Sequence, residues 1–171
     1  GLRQGLPWRN PSPNIRSWRQ ALLYGGVGMV EGTNVAVGRG TDSPFQIVGA
    51  PWIRGRDLAR RLNRHKVPGV HWVATRFTPS SSRHRKKLCR GARVVLLDPG
   101  RLDPALLGVS IAAALRRLYP RDWKHGNLYK LLSHPATTRA VLAGKEVNGL
   151  PRLWKDDLAR FAAARRPSLL Y

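Results

Sequence analysis

One glycine-rich stretch of the sequence contains two carboxylic acids, which could carry out acid–base chemistry. Glu31 and Asp42 are the only acidic residues among the first 56, and both lie in VEGTNVAVGRGTDSPF. Hydrolysis of a glycosidic bond needs a proton donor for the leaving oxygen and a group that stabilises positive charge on the sugar. Two carboxyl groups can share these tasks when their surroundings separate their pKa values. Glu31 is the candidate acid, and Asp42 is the candidate ionised partner.

Polar and aromatic neighbours of these acids have side chains suited to a sugar. Hydroxyl and amide groups could bind sugar hydroxyls or orient the carboxyl groups, and an indole could stack on a sugar ring. These neighbours are Thr33, Asn34, Thr41 and Trp52. A purely structural explanation stands beside this one. In it, Thr41 and Asp42 close a turn, and Arg39 forms an ion pair with Asp42.

The two acids are expected to follow a short helix and a short strand. SPNIRSWRQALLYGG predicts a helix that Asn14 caps and Gly25 ends. VGMV then predicts a short apolar strand with Glu31 at its C-terminal end. NVAV indicates either a loop or a second short strand. PFQIVGAPWI predicts a strand that Gly49 and Pro51 interrupt.

The rest of the chain combines helices and strands. Strands are predicted over GVHWVATRFTP and ARVVLLD, and helices over GRDLARRLNRHK, DPALLGVSIAAALRRLYP, ATTRAVLAGK and LPRLWKDDLARFAAARR. In the second of these helices Asp103 is the predicted cap and Pro104 the first residue. The pattern is typical of an α+β fold, a small mixed sheet with helices packed against it. We expect residues 1–15 to form a loop or linker and residues 16–171 a single domain.

The chain carries a large excess of positive charge. It has 31 Lys and Arg residues against 9 Asp and Glu residues, a formal net charge of +22. Such a balance is typical of proteins that bind polyanions, such as nucleic acid, an anionic membrane surface or an anionic wall polymer. The alternative is that a GC-rich genome favours arginine codons and that the excess lies on a solvated surface. Most basic residues are scattered, and the one dense run is SSRHRKKLCR.

Several other chemistries lack their sequence signatures. VGRGT has no lysine for a Walker loop, GRGTDS lacks the last glycine of a dinucleotide fingerprint, and no nucleophile elbow is present. The five histidines and the single Cys89 show no metal-ligand spacing, so we expect no metal and no cofactor. No recognition helix or RNP1-type motif indicates specific nucleic-acid binding. No run approaches the about 20 apolar residues of a membrane span.

Six stretches together resemble one protein family. They are GLPWRNPSPNI, ALLYGGVGMVEGTNVAVGRGTDSPFQIVGAPWI, RFTPSSSRH, LCRGARVVLLD, LRRLYP and RRPSLLY. In their order and spacing they resemble the DUF1343 family, the exo-β-N-acetylmuramidases that act on peptidoglycan fragments. The resemblance covers nearly the whole chain.

The resemblance implies the C-terminal part of a two-domain enzyme. Such enzymes have a Rossmann-like N-terminal domain and a smaller α+β domain, with the active site in the cleft between them. They release N-acetylmuramic acid from the non-reducing end of wall glycans. The Rossmann-like half would be absent here, so we expect the fragment to be inactive alone. The implied partners are muramyl glycans and that missing half, and the implied location is secreted or periplasmic.

The same resemblance assigns roles to residues. The family's EGTN and GRGT elements fall on residues 31–34 and 38–41, which makes Glu31 the leading catalytic candidate and Asp42 the second. Arg39 would bind the lactyl carboxylate of muramic acid, because a guanidinium can hold a carboxylate through two hydrogen bonds. The implied substrate-binding residues are Asn14, Thr33, Asn34, Arg39, Thr41, Trp52 and His84, with residues 80–82 as additions to the pocket.

Two other functions stay open at this stage. The chain could be a binding module that kept the fold, lost the chemistry and adheres to anionic wall polymer through its basic surface. It could also bind nucleic acid through charge alone, with weak affinity that falls steeply with salt.

Overall fold

The described part of the chain contains one three-stranded antiparallel sheet. The computed structural model describes residues 7–169. The strand order is β1-β3-β2, and the strands are β1 (Ile47–Ala50), β2 (Val70–Phe77) and β3 (Cys89–Leu96). The predicted α+β class is confirmed. The sheet is antiparallel throughout rather than mixed, because β2 and β3 form a hairpin and β1 pairs antiparallel with the other edge of β3.

Helices pack on this sheet and on each other. Over the described residues they are α1 (Trp18–Val27), α2 (Gly55–Arg64), α3 (Pro104–Leu118), α4 (Leu128–Leu132), α5 (Pro135–Leu142) and α6 (Lys155–Arg165). Short 3₁₀ turns cover Gly28–Val30, Val147–Leu153 and Arg166–Ser168. Helix α2 packs on β2 and β3, and α3 packs on α1 and α2. The sequence predicted all of these α-helices except α4, whose five residues are too short for a clear helical period.

The long helix α3 is the centre of the core. Its side chains Leu107, Ile111 and Leu115 are fully buried, at the four-residue spacing that places them on one helix face. The carboxylate of Asp103 accepts a hydrogen bond from the Leu106 nitrogen at 3.0 Å, and Pro104 is the first helical residue. The predicted cap and proline position are therefore confirmed.

The sheet presents one buried face and one face with exposed residues. Trp72 and its cross-strand partner Val94 are buried, whereas the next residues, Val73 and Val95, are exposed. This alternation is the two-residue period of a strand with one face in the core. The Asn63 side chain fixes α2 to β2, because it donates to the Trp72 carbonyl and accepts from the Trp72 nitrogen, both at 2.9 Å.

Helix α1 begins and ends differently from the prediction. Ser17, not Asn14, caps it, because the Ser17 hydroxyl accepts a hydrogen bond from the Gln20 nitrogen at 3.3 Å. The helix also continues past Gly25 to Val27. The reason is packing, since a Cβ atom at Gly26 would lie 2.6 Å from the Pro104 carbonyl oxygen. Glycine here allows α1 and α3 to approach each other, rather than ending the helix.

The segment VGMV was predicted as a strand, and that prediction is wrong. Val27 is the last residue of α1, and Gly28–Val30 continues directly as a 3₁₀ turn. The local sequence is apolar and contains two valines, which favours a strand. The fold instead buries Val27 and Val30 completely from a helical backbone.

The two ends of the described region differ in how they join the core. Residues 7–15 contain no helix or strand segment, yet Ile15 already packs against the core. The division between residues 1–15 and 16–171 stays a prediction, and residues 1–6 lie outside the described region. Helix α6 has no buried residue, and Leu158 and Phe161 are 60% and 62% exposed. Between residues 7 and 169, no helix is both long and apolar enough to cross a membrane.

Candidate active site

Glu31 lies at the end of the helical segment that begins with α1. Its backbone nitrogen donates to the Gly28 carbonyl at 3.0 Å, which closes the 3₁₀ turn. Because Val27 and Val30 are buried, the backbone before Glu31 is held firmly against the core. The carboxylate itself is 30% exposed and points into a pocket. A rigid backbone thus presents a partly solvated acid.

The loop after Glu31 is attached to the edge of the sheet. Ala36 and Gly49 exchange two backbone hydrogen bonds, at 2.8 and 3.0 Å, so NVAV forms a single bridge to β1. The Phe45 nitrogen donates to the Val37 carbonyl at 2.7 Å and closes the loop. Gly38 lies at the turn with a φ of 87°, where a Cβ atom would lie 2.3 Å from the Ser43 carbonyl oxygen.

Arg39 and Glu31 form an ion pair across this loop. The Arg39 Nε and Nη2 atoms each donate to a different oxygen of the Glu31 carboxylate, the second at 3.1 Å. This hydrogen bonding raises the pKa of the Arg39 guanidinium, which also lies 4.9 Å from the centre of the Phe45 ring. The structural explanation that paired Arg39 with Asp42 is wrong, because the loop turns Arg39 back toward Glu31.

A pocket of about 430 Å³ opens over this ion pair. Its charged and polar lining comes from Glu31, Arg39, Ser82 and Arg83, and its apolar lining from Val35, Ala36 and Val37. One carboxylate and two guanidinium groups give the pocket a positive balance. It is suited to a ligand that carries an anionic group beside an apolar or sugar-like surface.

The hairpin loop between β2 and β3 forms the opposite wall of the pocket. The Ser80 nitrogen and hydroxyl both donate to the Gly40 carbonyl, at 2.8 and 2.9 Å. A Cβ atom at Gly40 would lie 2.5 Å from the Ser81 nitrogen, so only glycine permits this approach. The contact places Ser82 and Arg83 beside Glu31 and Arg39.

Asn34 and Thr33 make contacts inside the protein rather than with the pocket. The Asn34 amide donates to the Asp122 carbonyl at 2.9 Å and accepts from the Lys124 nitrogen at 2.8 Å. The buried Thr33 hydroxyl donates to the Val30 carbonyl at 2.8 Å. Their predicted role in sugar binding stays a prediction, and the structure gives both a positioning role.

His84 contacts the backbone of Asn34. Its Nε2 atom lies 2.9 Å from the Asn34 carbonyl oxygen, which ties the hairpin loop to the loop after Glu31. His84 does not line the pocket over the ion pair. Asn34 therefore connects three segments, namely its own loop, the loop after α3 and the β2–β3 hairpin loop.

The other predicted site residues lie away from the pocket lining. The Thr41 hydroxyl donates to the Gly38 carbonyl at 2.7 Å, and Asp42 beside it is exposed. Trp52 packs edge-on against Tyr119 at 5.3 Å, and the Asn14 nitrogen donates to the Ser12 hydroxyl at 3.2 Å. None of the four lines this pocket. The structure brings Glu31 and Arg39 together but leaves Asp42 outside, so its catalytic role stays a prediction.

Arg83 is the charged pocket residue that was not predicted from the sequence, and the apolar lining residues 35–37 were not predicted either. Arg83 lies in SSRHRKKLCR, the dense basic run, of which only residues 80–82 and His84 were predicted to belong to the site. Only the tertiary contact between Ser80 and Gly40 brings it to the pocket. In the described region, no group of three or more His, Cys, Asp or Glu side chains could hold a metal ion.

Comparison with known proteins identifies the family of this chain. A family profile described as "Exo-beta-N-acetylmuramidase NamZ, C-terminal" matches residues 22–171. The peptidoglycan β-N-acetylmuramidase NamZ of Bacillus subtilis strain 168 is 32% identical over 169 residues, which is 97% of this chain and 41% of that protein. The chain belongs to the NamZ family, and it corresponds to the C-terminal domain.

Solved structures support the same assignment at the level of the fold. A DUF1343 family protein of Bacteroides fragilis has a TM-score of 0.77 at 22% identity, over 99% of this chain and 47% of that one. A second protein of that family and organism has a TM-score of 0.67 at 26% identity, over 94% and 43%. The family resemblance seen in the sequence is therefore confirmed, and this chain spans less than half of each relative.

Proposed function

We propose that this chain is the substrate-binding and acid-bearing domain of an exo-β-N-acetylmuramidase that acts on peptidoglycan fragments. The observation that carries the proposal is the pocket in which Glu31 and Arg39 face each other. Glu31 supplies the only carboxylate of that lining. It is therefore the candidate proton donor to the glycosidic oxygen, and Asp42 is kept as the second, charge-stabilising candidate.

The ion pair suggests how an anionic sugar would engage the acid. The lactyl carboxylate of muramic acid has the same charge and shape as the Glu31 carboxylate, so both compete for the Arg39 guanidinium. When the substrate takes that place, Glu31 loses its cationic partner, so its carboxylate can take up a proton from solvent and deliver it to the leaving oxygen. A neutral sugar such as N-acetylglucosamine cannot make this exchange, and selectivity for muramic acid follows.

The pocket is partly open to solvent, which fits a site completed by another domain. The relatives' remaining length, more than half of each, could provide that domain. We propose that turnover requires this second half, and that the complete protein works outside the cytoplasm, where peptidoglycan is found.

Hydrolysis of a chromogenic β-N-acetylmuramide tests the proposal. The chain is assayed alone and together with the N-terminal half of a close relative, each as the natural sequence and as Glu31→Gln. Glu146→Gln is the matched control, because Glu146 is the only other glutamate and is exposed. We expect activity only in the pair, loss of activity with Glu31→Gln, and near-normal activity with the control. A folded, tightly associated pair without turnover would refute an enzymatic role.

A further inference from the structure

A second and larger pocket lies between helix α2 and the β2–β3 hairpin. Its volume is about 690 Å³, and it shares no lining residue with the pocket over Glu31. Four of its lining residues are arginines, namely Arg54, Arg56, Arg76 and Arg90, and one is an aspartate, Asp57. We call it the arginine pocket. Its lining carries a strong positive charge that nothing in the muramidase proposal uses.

The guanidinium groups of the arginine pocket have no acidic partner in the described structure. No carboxylate between residues 7 and 169 lies within salt-bridge distance of these four arginines, and this includes Asp57 in the same pocket. Arg76 and Arg90 are direct cross-strand partners in the β2–β3 hairpin. Like charges directly opposite each other destabilise a sheet. The hairpin therefore holds a repulsive pair at the pocket wall.

The other two arginines lie where a helix disfavours them. Arg54 is the N-cap of α2 and Arg56 its second residue, and no side chain caps the first turn. Positive charge at a helix N-terminus opposes the helix dipole, and the one acid of the first turn, Asp57, offsets the two arginines only in part. The sheet and the helix thus each place two cations against their own electrostatic preference, and all four converge on one concave surface. An external anion would turn both arrangements from repulsive to favourable.

The lining also indicates which kind of polyanion fits. Guanidinium groups hold phosphate oxygens through paired hydrogen bonds. Proteins that bind single-stranded nucleic acid add aromatic side chains on which bases stack. No aromatic residue lines the arginine pocket. The pocket therefore offers guanidinium groups to a phosphate and no aromatic surface to a base.

We propose that the arginine pocket binds the phosphate groups of an anionic polyol-phosphate polymer, separately from the Glu31 pocket. The basic hairpin loop, residues 78–88, joins the strands that carry Arg76 and Arg90. That same loop supplies Arg83 to the Glu31 pocket. A polymer held in the arginine pocket would keep the protein beside an anionic matrix while its other pocket engages a sugar.

Calorimetric titration of the whole chain with a short synthetic poly(glycerol phosphate) tests this site. The variant replaces Arg54, Arg56, Arg76 and Arg90 with Gln. The matched control replaces four other exposed arginines with Gln, namely Arg101, Arg117, Arg121 and Arg152, so that both proteins lose the same charge. We expect the pocket variant to bind at least about tenfold more weakly and the control to stay within about twofold of the natural chain.

Three outcomes would overturn the proposal. Equal losses in the two variants would mean that net charge alone drives binding. Tighter binding to an oligothymidylate of equal charge would mean that the partner is nucleic acid. No binding to the natural chain would mean that the pocket has no such ligand. Circular dichroism verifies folding, and an Arg76→Gln/Arg90→Gln pair replaces the fourfold variant if it unfolds. None of these results depends on muramidase turnover.

Discussion

Arg39 and Glu31, eight residues apart in the chain, form an ion pair with two hydrogen bonds, and both line the pocket of about 430 Å³. The turn at Gly38 makes the meeting possible, since its φ of 87° reverses the chain between the two residues. The pair is partly solvated, with the two side chains 31% and 30% exposed. Its importance is therefore expected to lie in binding and catalysis more than in stability.

Replacing Arg39 with Lys separates these two roles. Lysine keeps the charge but cannot present two parallel donors to a carboxylate. We expect the free energy of unfolding in urea to fall by less than about 1 kcal/mol, as for other solvated ion pairs. In the paired enzyme we expect KM for the muramide to rise clearly. Arg117→Lys, on an exposed face of α3, is the control. An unchanged KM would argue against carboxylate binding by Arg39.

Asn34→Ala tests the junction of three segments. The substitution removes the two hydrogen bonds to the backbone of Asp122 and Lys124. Both bonds lie near solvent, so we expect a loss of about 1–2 kcal/mol in the free energy of unfolding. Asn148→Ala, at an exposed position, should change it by no more than about 0.5 kcal/mol. Equal effects of the two substitutions would show that the hydrogen bonds of Asn34 do not stabilise the fold.

Gly40→Ala tests the approach of the hairpin loop. The backbone of Gly40 has a φ of 74°, and a Cβ atom there would lie 2.5 Å from the Ser81 nitrogen. Gly144 is a matched control, because its φ is 75° and a Cβ atom there would meet nothing within 4 Å. Gly144→Ala should lower the unfolding free energy by roughly 1 kcal/mol through backbone strain alone. Gly40→Ala should lower it by at least about 2 kcal/mol.

The same pair of variants reports on the pocket. Gly40→Ala should move Ser82 and Arg83 away from Glu31 and weaken muramide binding in the paired enzyme. Gly144→Ala should leave that binding intact. If both alanines reduced stability equally and neither affected binding, the close contact between Gly40 and Ser81 would have no functional meaning.

His65 makes stability depend on pH. It is 5% exposed, and burial, together with the nearby Arg61 charge, lowers the pKa of His65 from 6.5 to about 4, against a smaller opposing effect of Glu146. Between pH 4 and pH 6.5, His65 is protonated in the unfolded chain but neutral in the folded chain. The free energy of unfolding should therefore fall as pH drops from 6.5 to 4, by at most about 3 kcal/mol.

Urea denaturation across that pH range, with two histidine variants, checks this expectation. His65→Leu removes the titrating group and should flatten the curve between pH 4 and 6.5. His71→Gln, at an exposed position on β2, should keep the slope of the natural chain. A slope unaffected by His65→Leu would assign the pH dependence to other groups.

Local sequence rules predicted elements whose signals agree with their packing. Helix α3 is the clearest case, because its cap, its proline and its buried four-residue stripe all point to one structure. The prediction of a strand over VGMV was wrong because it rested on β-propensity. Burial of Val27 and Val30 against α3 favours a helical backbone instead. The predicted helix end at Gly25 was wrong for a related reason, because the glycines of α1 allow close packing against α3.

Only part of the candidate site could be predicted from the sequence. Glu31 and Arg39 were both predicted as site residues, but their ion pair was not, because the structural explanation paired Arg39 with Asp42. Arg83 is 44 positions further along the chain than Arg39, and only the hydrogen bonds from Ser80 to Gly40 bring it close. Contacts of that separation leave no local pattern. Asp42 is only three residues from Arg39 in sequence, yet it does not line the pocket, so its catalytic role stays a prediction.

Helix α6 has a consequence for how the molecule opens. With no buried residue, it gains little from the core and is held by its neighbouring 3₁₀ turns and a 3.5 Å contact between His134 and Asp157. Its amide hydrogens should exchange with solvent through a local opening, far faster than those of α3, which would need global unfolding. Leu158 and Phe161, already exposed in the folded chain, would lose little packing in that opening, so α6 should unfold independently of the core.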